Sequence, residues 1–269
     1  MLYRERASVV AALVVLGLIL SAFLQLPRWS FSLTVLGSPL AVSLTQTALM
    51  AALLVGITCA GVDAIVRSHP TAQRIEARYS FVAWTLPALT VLLAVVLLPQ
   101  APTQLYRLVG YGLTGLILIL VISAEYYTVD PDDRLYRLAR LSLNAWAYLL
   151  ALVLFVLIYS AKARSLISAT AVTAAGTLLA LEFLRSAGQG FGRTALYAAI
   201  AGLCTGEIVW AMNYWRISGV TGGLILLLGF YVFTGLANQQ LQGRLSRRVL
   251  IEYAVVALVG LVVLLRFGP

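Results

Sequence analysis

Apolar residues run in stretches of about 20 along the whole chain, and short turns between them hold most of the charge. A helix of that length crosses the hydrocarbon core of a bilayer. Nine such spans are predicted, at residues 7–26, 42–66, 80–98, 108–125, 141–161, 165–183, 194–214, 219–237 and 249–265. The fold class that follows is all-α, a polytopic transmembrane helical bundle, with residues 1–269 forming one integral membrane domain and no soluble domain. The first run is too long for a signal peptide and lacks a small-residue cleavage pattern before Pro27, so it reads as an uncleaved span.

The charges in the turns orient the bundle. Of the 19 lysines and arginines, Arg28, Arg107, Lys162, Arg164, Arg216 and Arg266 fall on one side, and the other 13 fall opposite. Short cytoplasmic loops carry the excess of positive charge, which predicts the N-terminus inside and the C-terminus outside. The localisation expected is the inner (cytoplasmic) membrane.

A lone leading helix followed by four hairpins accounts for the nine spans. Three of the inward spans end near an acid, Asp63, Glu125 or Glu182, and the fourth near Asn238. At an offset of 62, the segment ARYSFVAW (77–84) matches ARLSLNAW (139–146) at five of eight positions, and the same offset carries Asp63 onto Glu125. Tandem repetition of a hairpin produces this pattern, and so does a simple antiparallel bundle without a repeat.

Two turns carry local signals. Asp130-Pro131-Asp132-Asp133 has the form of a helix start, with Asp130 as N-cap and Pro131 in the first helical position. Arg134, Arg137 and Arg140 follow at three-residue spacing, as a stripe that either grips anionic lipid headgroups or snorkels to the interface. The run Gly188-Gln189-Gly190-Phe191-Gly192 precedes a helix without a strand before it, so it reads as a turn and not a dinucleotide fingerprint. His69 beside Pro70 reads as a residue of a solvated turn.

Composition narrows the chemistry. With 61% hydrophobic and 11% charged residues, the chain is far from the roughly 25% charge of soluble domains. The net charge of +9 sits in the turns, which argues against a nucleic-acid partner. Cys59 and Cys204 lie inside apolar runs as free thiols, and with a single histidine no Cys/His metal site can be built. No cofactor or resident metal is expected, and the one metal chemistry the composition leaves open is a carboxylate-bound cation. The tryptophans cluster near span ends, as an interfacial belt.

One residue is costly where it stands. Glu207 lies about 20 Å of helix beyond Thr194, and an ionised carboxylate deep in a bilayer costs at least about 2.5–3.5 kcal/mol. Gly202 and Gly206 permit a close neighbour, so burial of Glu207 against protein is expected. Its stripe includes Cys204, Trp210 and Tyr214, the adjacent one Val209 and Asn213, and Asn144 is a candidate partner from another span. Glu207, Tyr214, Asn213 and Asn144 thus form the candidate substrate or proton site. Asp63, Glu125 and Glu182 with Arg134, Arg137 and Arg140 form a candidate cytosolic mouth, or else local ion pairs near Arg67, Arg185 and Arg248.

Three functions are compatible with this pattern. The first is transport of a small solute, ion or lipid with Glu207 as the coupling or binding residue. The second is a non-catalytic subunit or assembly factor of a membrane complex. The third is an intramembrane enzyme acting on a lipid or isoprenoid. The partners expected are the lipid bilayer, anionic lipid headgroups and other membrane subunits.

Overall fold

A computed structural model describes residues 2–24, 29–35, 38–71, 80–187, 190–215 and 217–267. The positions of Arg28, Arg74, Arg78 and Arg216, the first three residues of the first repeat segment (77–79) and residues 188–189 of the glycine-rich turn lie outside them.

Among the described residues, nine helices are long and apolar enough to cross a membrane. They are α1 (Leu2–Phe23), α2 (Gln46–Arg67), α3 (Thr85–Leu97), α4 (Gln104–Tyr127), α5 (Tyr136–Ser160), α6 (Ser165–Leu184), α7 (Phe191–Met212), α8 (Gly219–Leu241) and α9 (Arg247–Phe267). Single-turn 3₁₀ segments, Ser80–Trp84 and Leu98–Gln100, extend α3 at both ends into a full span. Helices dominate because lipid offers no partner for backbone N–H and C=O groups, and a helix satisfies them internally.

One element departs from the helical expectation. Strands β1 (Trp29–Val35) and β2 (Ser38–Leu44) pair antiparallel, from Trp29 opposite Leu44 to Val35 opposite Ser38. The second span therefore begins at Gln46 and not at residue 42. Thr45 sets that boundary, since its backbone is extended and its hydroxyl accepts the N–H of Ala48 at 3.2 Å. The signal was in the sequence, because Trp-Ser-Phe-Ser-Leu-Thr-Val alternates with a period of two.

The chain folds as two compact units, Met1–Ser142 and Leu143–Pro269. In the first, α1 packs on α2 and α4, and α3 packs on the same two helices, which closes a four-helix ring. Val14, Leu54, Val62, Val91, Leu118 and Ile122 fill its centre and are shielded completely or nearly so. In the second unit α6 and α7 make the most extensive helix pair, α8 packs on α7, and α9 packs on α8. Phe155, Tyr159 and Phe230 are the largest buried side chains here, and the Phe230 ring stands 5.7 Å from Phe155 and 5.9 Å from Phe183. The hydroxyl of Tyr159 donates to the Met212 carbonyl at 3.1 Å, so the one polar atom of this cluster is satisfied.

The Asp130–Asp133 turn is not the helix start expected, because α5 begins at Tyr136. Asp130 instead folds a turn, its Oδ1 accepting the N–H of Asp132 at 3.1 Å and its Oδ2 the hydroxyl of Thr71 at 3.1 Å. Asp133 makes a second turn that leads into the helix: its Oδ1 accepts the N–H of Leu135 at 2.7 Å and its carbonyl that of Tyr136 at 3.1 Å. Competition by short acidic side chains for local amides delays the helix. Replacing Asp133 with Ala removes the hydrogen bond to the Leu135 N–H and is expected to lower stability by about 1 kcal/mol, and Asp132→Ala to leave it within about 0.5 kcal/mol. Thermal melts of both variants in mild detergent check this.

His69 is also not a solvated turn residue. It is buried in the first unit, its Nδ1 accepts the N–H of Thr71 at 3.2 Å, and its ring meets that of Tyr126 edge-on at 4.6 Å.

Candidate functional site

Helix α7 carries two stripes with opposite fates. Gly202, Gly206 and Val209 are buried, and the glycines lie directly on the α6 backbone. A Cβ on Gly202 would stand 2.7 Å from the Thr173 carbonyl oxygen, and one on Gly206 3.0 Å from that of Ala169. The close approach expected of this glycine pair is thus made by α6. Asn213 continues the stripe and donates to the Ser168 hydroxyl at 2.7 Å.

Glu207 lies on the other stripe. Burial against protein was expected, and the structure shows it exposed. The reason is geometric: consecutive residues on a helix point about 100° apart, so a seam that takes Gly206 inward turns Glu207 away. Trp210 and Tyr214 follow it to the surface, Tyr214 with 75% of its area exposed. Glu207 stands five residues before the end of α7, about 7.5 Å of helix from that end.

The acid borders a groove of about 560 Å³ between α6 and α7. Leu166, Thr170, Thr173 and Ala174 form one wall, and Leu203, Gly206, Trp210 and Ala211 the other. Glu207 is the single ionisable residue among the described lining residues. Asn144, Asn213 and Tyr214 do not line it; Asn144 is half-buried on α5. The groove is therefore an apolar slot with one carboxylate at its edge, not a convergent set of polar side chains.

The second set of candidates divides between the two units. Asp63 pairs with Arg67 at 2.8 Å, and Glu182 with Arg185 at 2.9 Å. Glu252 pairs likewise with Arg248 at 3.1 Å. These are contacts three or four residues along one helix, which is how far such side chains reach. Glu125 and Glu182 are the most buried acids described, each 1% exposed. The arginine stripe is broken: Arg134 precedes α5 and is exposed, Arg137 is exposed on its first turn, and Arg140 is buried. Among the described residues no three of His, Cys, Asp and Glu converge as metal ligands, and both cysteines are unbridged.

Arg107 is a residue that sequence reasoning passed over. Counted only as a topology charge, it lines a cavity at the start of α4. A signal was available, because a cation in the first turn of a helix opposes the helix dipole.

Nine helices among the described residues, each long and apolar enough to cross a membrane, define a multi-pass membrane protein. The chain belongs to the DUF5656 family, described as a protein of unknown function, whose family model matches residues 26–267. No curated protein and no solved structure matches it.

Proposed function

We propose that this chain is a non-catalytic subunit of a membrane complex, and that the α6–α7 groove seats a transmembrane helix of a partner. The carrying observation is Glu207, an acid within a spanning helix that is exposed on an apolar groove. In lipid such a group carries a cost, about 2.5–3.5 kcal/mol at the bilayer centre and less toward a helix end, unless it is protonated or meets a donor. A partner helix bearing Lys, Arg, His, Asn or Gln removes that cost and covers the groove at once. Ala169, Ala174, Gly206 and Ala211 keep the groove floor low enough for a second backbone to approach.

Transport through Glu207 would call for a polar cavity around it, and catalysis for a second ionisable group in the groove. The apolar lining favours neither. The reading places the N-terminus and the basic turns on the cytoplasmic side of the cytoplasmic membrane, by the charge asymmetry of the loops.

A photo-crosslinking residue at Leu203, an exposed position of the groove, tests the assignment in native membranes. The expected product is a discrete adduct with one membrane polypeptide, reduced at least tenfold by Glu207→Leu. Adducts with lipid alone, unchanged by Glu207→Leu, would overturn the proposal.

A further inference from the structure

The first unit holds a cavity of about 470 Å³ at the ends of its spans that lie away from the basic turns. That size falls within the range of small-molecule sites. Its wall is made by the last turns of α1 and α3 and the first turns of α2 and α4. It is distinct in place and chemistry from the Glu207 groove, and nothing below depends on the function proposed for that groove.

The electrostatics of this cavity have one sign. Two helices of more than twenty residues, α2 and α4, begin at it, and each presents the positive end of its dipole. Their caps are formed: Thr45 accepts the N–H of Ala48 at 3.2 Å, and Thr103 that of Tyr106 at 3.4 Å. Arg107 adds a full positive charge within the first turn of α4, where the dipole disfavours it. No acid is among the described residues that line the cavity, and the ion pairs described in the first unit do not include Arg107.

Two polar groups there lack partners among the described residues. The Arg107 Nε is fully buried without a hydrogen bond. Tyr111, one turn further along the same helix face, is 9% exposed and lines the cavity, and its hydroxyl takes part in no hydrogen bond among the described residues. The Arg107 Nε carries the cost of a buried unsatisfied donor, about 1–3 kcal/mol, and the Tyr111 side chain faces the same cavity beside two helix N-termini. Together they form a receptor for negative oxygen. A guanidinium and a phenol suit a phosphate, since both donate hydrogen bonds to its oxygens and the first also matches its charge.

The rest of the lining tells what is attached to that phosphate. Ser21, Gln46 and Thr47 offer hydroxyl and amide groups, and Leu18, Met50, Val95 and Leu98 offer an apolar wall. The cavity thus combines an anion cradle with an apolar side at the level where the spans end. We infer that this cavity binds a phosphate group at the membrane surface opposite the basic turns, the chemistry shared by an anionic phospholipid headgroup and a free phosphate.

Thermal melts and ligand titrations of the purified full chain test this in three arms. The arms are nanodiscs of phosphatidylglycerol, nanodiscs of phosphatidylcholine, and inorganic phosphate in neutral detergent. The wild-type protein is expected to melt higher in phosphatidylglycerol than in phosphatidylcholine if a lipid supplies the group. It is expected to respond to inorganic phosphate if a free anion does. In whichever arm responds, Arg107→Gln is expected to weaken binding at least tenfold and Tyr111→Phe a few-fold. A merely structural role for Arg107 is separated by the unliganded protein: Arg107→Gln should then melt no lower than wild type, because it removes an unsatisfied charge. A wild-type protein indifferent to phosphatidylglycerol and to phosphate, or a response that survives Arg107→Gln, overturns the inference.

Discussion

Gly202→Ala is expected to destabilise the protein by about 2–3 kcal/mol, the upper part of the range for overpacked cores. The added methyl would lie 2.6 Å from the Thr177 backbone nitrogen and 2.7 Å from the Thr173 carbonyl oxygen. Neither atom belongs to a side chain that could swing aside, so α6 and α7 must separate. Separation forfeits the dispersion contacts of the most extensive helix pair in the second unit. Gly112→Ala on α4 is the control, since nothing lies within 4 Å of its added methyl. That change is expected to be neutral or to stabilise by up to about 1 kcal/mol through helix propensity. Thermal unfolding of both variants in one detergent decides the matter; equal melting temperatures would mean that the two helices do not meet at Gly202.

Phe230→Ala is the second large effect. The ring is completely buried, with Phe155, Phe183 and Tyr148 around it at 5.7, 5.9 and 6.5 Å. In a soluble core such a truncation costs about 3–5 kcal/mol. In a bilayer the separated helix still keeps the side chain in an apolar phase, so the transfer part shrinks and the cavity part remains. The expected loss is therefore about 2–3 kcal/mol. Leu258→Ala on the exposed face of α9 removes an apolar side chain that is 64% exposed, and it should change stability by less than about 0.5 kcal/mol. If the two truncations melted alike, hydrophobicity and not packing would be holding the second unit together.

The local contacts were legible in advance where they depend only on spacing along a helix. Asp63 with Arg67, Glu182 with Arg185, and Arg248 with Glu252 are each three or four residues apart, and all three pairs form. The β-hairpin was legible too, in the alternation from Trp29 to Val35, but the apolar run that follows drew the last residues of β2, 42–44, into the second predicted span. The helix start at Asp130 failed for a different reason. Asp130 and Asp133 each had an equally good local use, and the hydrogen bond from Thr71, 59 residues earlier, is invisible to any reading of that turn alone.

What the sequence determined by itself is the solvent and the response to it. Long apolar runs must enter lipid, lipid forces them into helices, and nine runs of sufficient length give nine candidate crossings. What only tertiary structure decided is direction around each helix axis. Gly206 and Glu207 are adjacent, and depth in the membrane is the same for both within about 1.5 Å. Which of them faces protein depends on where α6 lies, and that position follows from the summed packing of many side chains. The same holds for Arg107, a loop charge by sequence, which becomes part of a cavity only because four helix ends meet around it.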